Sequence, residues 1–224
     1  MKVLTAYDFI ALAFVLAASI FGIVRMFAKK APMYFRLIVC GVWCFAFQYI
    51  YYFLAILCKM DMPDFYNICF LGIGGSFIFF ASANYGQFNS IVDEYGKRLR
   101  LIRLVSLLAP LAFLVWFILI CLGAEGISVY AVLVLSTSAV PIMIGSYFNL
   151  KYLVIKNDSL GLLKGVKPLN AAELVLDIIC YFYIYNSLHS SENETAVIYY
   201  VLTVAVSLMV LLADWGKKAW HKQF

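Results

Sequence analysis

The sequence predicts an all-α integral membrane protein, a single domain over residues 1–224 built as a seven-transmembrane-helix bundle with its N-terminus outside and its C-terminus cytoplasmic. Three observations lead there. First, 65% of the residues are hydrophobic and 13% are charged, against about half and about a quarter in soluble domains. Second, apolar runs long enough to cross a hydrocarbon core, which takes about 20 helical residues, fall near 8–27, 33–57, 65–88, 101–123, 128–150, 169–188 and 195–214. Third, if the first connection is cytoplasmic, all but two of the 17 Lys and Arg residues lie on that side, the exceptions being Lys2 and Lys59. Cations flanking membrane spans are retained inside. Asp8, Asp61, Asp64, Glu125, Glu192 and Glu194 then face outward. The formal charge of +5 belongs to the inner membrane surface, where basic residues meet anionic lipid, so membrane lipids are expected partners and nucleic acid is not. The expected location is a cell membrane, multi-pass, of the bacterial inner-membrane kind.

The first run contains "LAAS", which invites comparison with a secretory signal. Its apolar stretch is longer than a signal core and ends in Arg25, Lys29 and Lys30, not at a small-residue cleavage site. It is therefore read as a true first span. The second run carries "QYIYYF" toward its outer end. The third opens with "LGIGGS", small residues that let helices approach closely, and closes with "FFASANYGQFNSIVDEYGKR". There Ser82, Tyr85 and Asn89 fall on one helical face, with Asn84 and Gln87 beside it, so helix 3 is expected at the centre of the bundle. Pro110 and Pro141 lie inside spans 4 and 5, where membrane helices tolerate kinks. Gly161, Gly165 and Pro168 read as stops and restarts ahead of span 6. An echo between "QYIYYF" and "CYFYIYN" would match spans 1–3 with 5–7 around span 4, which is similar to the plan of small sugar transporters.

Span 6, "LNAAELVLDIICYFYIYNSL", places Glu173 and Asp177 inside the membrane. A charge there costs about 2.5–3.5 kcal/mol on the insertion scale and normally turns toward the bundle interior. Their i, i+4 spacing puts both on one face, which continues to Asn170 below and Tyr181 above. Glu173 is expected to pair with Arg25 or Arg36, the cations at comparable depth. Asp177 lies too deep for either and is expected to bond with Gln48, Ser82 or the Ser136, Thr137 and Ser138 cluster, or to be protonated. The pair is open to three readings: a structural polar seam, proton or cation coupling, or a polar contact for a ligand.

Tyr49, Tyr51, Tyr52 and Phe53, with Tyr181, Phe182, Tyr183, Tyr185, Tyr199 and Tyr200, all fall in the outer half. Aromatic residues gather at membrane interfaces in any case. Runs longer than a helical turn must nevertheless point some rings inward, which suggests an outward-opening pocket with aromatic walls and a carboxylate floor. The candidate ligand-binding or coupling residues are thus Asp177, Glu173, Tyr181, Tyr51, Gln48 and Asn84, with Arg36 and Arg25 as charge partners.

Several functions are excluded. A retinal protein needs a Lys deep in the last span, and "AVIYYVLTVAVSLMVLLADWGKK" has none before Lys217. The signatures of G-protein-coupled receptors are missing from spans 3, 6 and 7. His189 and His221 both lie outside the spans, which leaves no haem ligand pair and no multi-histidine zinc site. No catalytic residue, cofactor or metal is expected. The six cysteines, Cys40, Cys44, Cys58, Cys69, Cys121 and Cys180, read as buried thiols, with one external disulfide among Cys58, Cys69 and Cys121 left open. Two classes remain. One is a sensor or receptor-like module that binds a small or lipidic ligand and signals through its basic inner loops to a cytoplasmic or membrane protein partner. The other is a small secondary transporter coupled through Asp177.

Overall fold

The structure is a computed structural model that describes residues 5–27, 31–58, 65–88, 97–155, 162–190 and 192–221. Side chains are described over 5–27, 31–58, 69–84, 100–155, 167–190 and 194–216.

Within these residues the chain forms helices α1 (Ala6–Phe27), α2 (Met33–Leu57), α3 (Phe65–Phe88), α4 (Lys97–Ser106), α5 (Leu108–Gly123), α6 (Val129–Val154), α7 (Leu162–His189) and α8 (Glu192–His221). No strand occurs among the described residues. Six stretches are long and apolar enough to cross a membrane: Ala6–Phe27, Met33–Leu57, Arg100–Gly123, Val129–Val154, Lys167–His189 and Glu194–Gly216. The chain is a polytopic, all-helical membrane protein.

Helices α1, α2, α3, α6, α7 and α8 pack in a closed ring in that order, with α2 also touching α8 across it. Helix α5 lies outside, against α6 and α7, and α4 lies against α6. Named contacts fix the directions. Tyr200 donates to Asp8 at one end of the α1/α8 pair, and Arg25 meets Asp214 at the other, so these two helices run parallel. Gly74 approaches Thr137 and Asn84 meets Asn149, so α3 and α6 are also parallel. Ring contacts of Phe113 and Trp116 with Tyr181, and the His189–Ile120 contact, set α5 parallel to α7. Against α2, the neighbours α3 and α8 are antiparallel, through Ser76–Gly41 and Gly72–Gln48 on one side and Tyr34–Ala213 and Gln48–Tyr199 on the other.

Small residues bring α3 against its neighbours. A Cβ on Gly72 would sit 2.2 Å from Gln48 Oε1, and one on Gly74 would sit 2.3 Å from the Thr137 carbonyl oxygen. That carbonyl is available because Pro141, four residues on, has no N–H to donate to it. Proline on α6 and glycine on α3 therefore make one tight contact. Ser76 Oγ donates across to the Gly41 carbonyl at 2.9 Å, adding a polar clasp between α3 and α2.

Two expectations change. Span 4 forms one apolar stretch, Arg100–Gly123, but its helix is interrupted at Leu107, whose amide N lies 3.2 Å from both the Arg103 and Leu104 carbonyls. Pro110 supplies the reason, since it cannot donate to the Ser106 carbonyl and its ring crowds that position. Span 6 does not start afresh at 169, because α7 runs unbroken from Leu162 through Gly165 and Pro168. At the α5–α6 turn, Gly126 takes φ of 70° and Ser128 caps α6 by accepting from the Ala131 amide at 3.1 Å. Exposed apolar side chains cover the outside of the bundle, Leu111, Leu114, Val115 and Ile118 of α5 among them. Such a surface is stable only against lipid or other membrane protein.

Candidate functional site

Helices α3, α6 and α7 meet around a polar cluster with no access to the surface. Asn84, Asn149, Asn170, Glu173 and Asp177 are each at most 1% exposed. Asn84 is its hub: the side-chain amide Nδ2 donates to Asn149 Oδ1 at 2.6 Å and to Glu173 Oε2 at 2.7 Å. Its backbone carbonyl lies 3.5 Å from the Tyr152 hydroxyl of α6. Asn149 also stands within side-chain hydrogen-bonding reach of both Glu173 and Asp177. Asp177 sits near the middle of the apolar Lys167–His189 stretch, with Glu173 one turn away.

The sequence-predicted residues divide into two groups. Glu173, Asp177 and Asn84 come together, and Tyr181 stands one turn above Asp177 on the same buried face. Gln48 does not join them: its amide donates to the Tyr199 hydroxyl in a separate aromatic cluster. Tyr51 is 41% exposed on the outside of α2. The expected cation partners are engaged elsewhere, with Arg25 Nε 3.7 Å from Asp214 and Arg36 donating to the Ala31 carbonyl at 3.1 Å. Glu173 is bonded to an amide, not to a cation. The hydroxyls proposed for Asp177 are also committed, each to its own helix: Ser82 to Ile78, Ser136 to Val132, Thr137 to Val134 and Ser138 to Leu135. Short hydroxyl side chains in helices bond most cheaply to the preceding turn, which is why they made poor candidates. The side chains of Tyr85, Gln87 and Asn89 lie outside the described residues.

No known protein family, curated protein or solved structure matches the chain.

Asn149 was missed in the sequence. It stands in the last apolar turns of span 5, and the signal was present: Gly145, Asn149 and Tyr152 recur at helical spacing and are buried together. Several buried atoms of the cluster have no protein hydrogen-bond partner: Asn84 Oδ1, both amide atoms of Asn170, Glu173 Oε1, Asp177 Oδ2 and the Tyr181 hydroxyl.

The aromatics expected to form an outer pocket close on one another. Tyr199 stacks between Phe45 at 5.8 Å and Tyr49 at 5.3 Å, and Tyr183 packs on Tyr199 at 5.4 Å and on Phe70 at 5.5 Å. Tyr181 packs on Phe113 at 4.7 Å and Trp116 at 5.2 Å, which ties α7 to α5. Tyr49, Tyr181, Tyr183 and Tyr199 are buried, whereas Tyr51, Phe182 and Tyr185 face outward. All six cysteines are free thiols.

Proposed function

We propose that this protein is a seven-span membrane sensor, N-terminus outside and C-terminus cytoplasmic, in which α7 couples the outer aromatic cluster to the inner carboxylate–amide cluster. The observation that carries the reading is the layout of α7. One unbroken helix presents Tyr181 and Tyr183 to the aromatics of α5, α3 and α8, and presents Asp177 and Glu173 to the amides of α3 and α6. A small or lipidic ligand that separates the stacked rings displaces α7, and a displaced α7 strains the Asn84–Glu173 bond. The basic inner loops would pass that change to a cytoplasmic or membrane protein partner.

The parallel pairs α1/α8, α3/α6 and α5/α7 support seven crossings, because α4 and α5 then count as one pass and α3 as another. Cysteine labels at Glu125 should react from outside and those at Lys156 only after permeabilisation. An inversion of either would overturn the orientation.

A second reading, a small secondary transporter coupled through Asp177, is favoured by the unpartnered carboxyl oxygens at membrane depth. Asp177→Asn separates the two. In a sensor it shifts the population of two α7 positions by about 1–3 kcal/mol, the usual size of coupling energies. In a transporter it abolishes ion-driven solute uptake into proteoliposomes. Spin labels at Ile144 and Val175, which are exposed on α6 and α7, report the helix positions. Unchanged distances together with lost uptake would reject the sensor.

A further inference from the structure

We propose that the outward face of α4 and the start of α5 binds one anionic phospholipid, with Arg100 and Arg103 on its headgroup phosphate and the apolar residues that follow along its acyl chains. The site goes beyond the relay proposed above and does not depend on it.

The way α4 is held sets this face. Ile102 and Ser106, one turn apart, are buried, and α4 packs against α6. The opposite side is turned out: Arg100, Arg103, Leu104 and Leu107 recur at i, i+3, i+4 and i+7 and are all exposed. The interruption at Leu107 does not end the row. The amides of Leu107 and Leu111 donate to the Arg103 and Leu107 carbonyls, both at 3.2 Å, so the helical pitch carries through. Leu111 and Val115, exposed on α5, continue the row. One face thus passes from two guanidiniums to an unbroken apolar strip. The rise from Arg103 to Val115 is about 18 Å, against about 15 Å for half of a hydrocarbon core, so the strip matches the depth of one leaflet.

Charge decides the occupant. No Asp or Glu occurs from Lys97 to Ala124, and neither guanidinium forms an ion pair among the described residues. Guanidinium binds phosphate through paired N–H donors. A soluble anion or an acidic peptide would answer the arginines alone. A phospholipid answers both ends of the row at once, its phosphate beside the cations and its chains beside the leucines. A zwitterionic headgroup brings a cation of its own to the same place, so the row selects lipids of net negative charge. Arg25 and Arg36 do not form such a row, since the first is drawn to Asp214 and the second to the Ala31 carbonyl.

Native mass spectrometry of the full-length protein, released from detergent micelles after titration with phosphatidylglycerol or phosphatidylcholine, counts the bound lipids and gives the Kd of the first. The first phosphatidylglycerol should bind about tenfold or more tightly than the first phosphatidylcholine, at about fivefold per cation beside an anionic headgroup. Arg100→Gln combined with Arg103→Gln should erase that preference. Lys217→Gln combined with Lys218→Gln removes the same charge from the end of α8 and should leave it intact. Inorganic phosphate at constant ionic strength should not displace the lipid. Equal loss in the two double variants would mean diffuse attraction, displacement by phosphate would mean a bare anion site, and no preference in the wild type would mean no site; each refutes the proposal. If the double arginine variant does not fold, Arg103→Gln alone decides, with an expected loss of about fivefold.

Discussion

Asn84→Leu removes the hub of the polar cluster at nearly constant volume, so its cost reads the hydrogen bonds without a large cavity. Asn84 spends both amide hydrogens across helix boundaries, 2.6 Å to Asn149 on α6 and 2.7 Å to Glu173 on α7. Interhelical hydrogen bonds in membranes average about 0.6 kcal/mol and reach about 1.7. Loss of both is therefore expected to cost about 1–3 kcal/mol. Equilibrium unfolding from mixed micelles by a denaturing detergent measures it. Ser82→Ala is the comparison, since that hydroxyl bonds only to the Ile78 carbonyl of its own helix and its loss should cost about 0.5 kcal/mol or less. A cycle with Glu173→Gln isolates the shared bond, and a coupling of about 0.5 kcal/mol or more is expected for residues in contact. An Asn84→Leu cost no larger than that of Ser82→Ala, with an additive cycle, would refute the three-helix cluster.

Other expectations follow from close contacts and partners. Gly74→Ala forces a Cβ to 2.3 Å from the Thr137 carbonyl oxygen and should cost about 1–3 kcal/mol, whereas Gly75→Ala meets only the Cys44 side chain at 3.4 Å and should be close to neutral. Equal effects in thermal unfolding would mean that α3 and α6 do not touch there. Glu173→Gln keeps an oxygen for Asn84 and should lower the unfolding temperature less than Glu173→Leu, which strands the amide. Equal tolerance of the two would place the side chain in water or headgroups.

Six of the seven expected spans were legible because they depend on length and hydrophobicity alone, 33–57 coinciding with α2, while 65–88 coincides with α3 as a helix but is not among the six stretches long and apolar enough to cross a membrane. The interior face of α7 was legible for the same reason, since Glu173 and Asp177 are costly toward lipid and their spacing fixes a common face. What they would touch was not. The expectation of a cation for Glu173 followed charge and depth, but packing brought Asn84 and Asn149 to it, and which helices adjoin α7 is a tertiary fact absent from local pattern. The positions of Gln48 and Tyr51 relative to the carboxylates were not legible either: neighbouring residues on α2 point in different directions, and only the packed bundle shows Gln48 turned to Tyr199 and Tyr51 turned outward. Pro110 gave fair warning of the interruption in span 4, while α6 stays continuous through Pro141, with the Thr137 carbonyl that Pro141 leaves free lying against Gly74 of α3.

The most direct measurement of the proposed relay is the Ile144–Val175 spin-label distance, which reports the inner half, recorded after a change confined to the outer half. Tyr199→Leu breaks the stack among Phe45, Tyr49 and Tyr183 without touching the carboxylate cluster. Coupling through α7 predicts a second population, or a shift between populations, in the inner-half distance distribution, and restoration of the original distribution when Tyr199→Phe replaces Tyr199→Leu. An inner distribution identical to wild type in Tyr199→Leu, with the outer packing demonstrably altered, would contradict it.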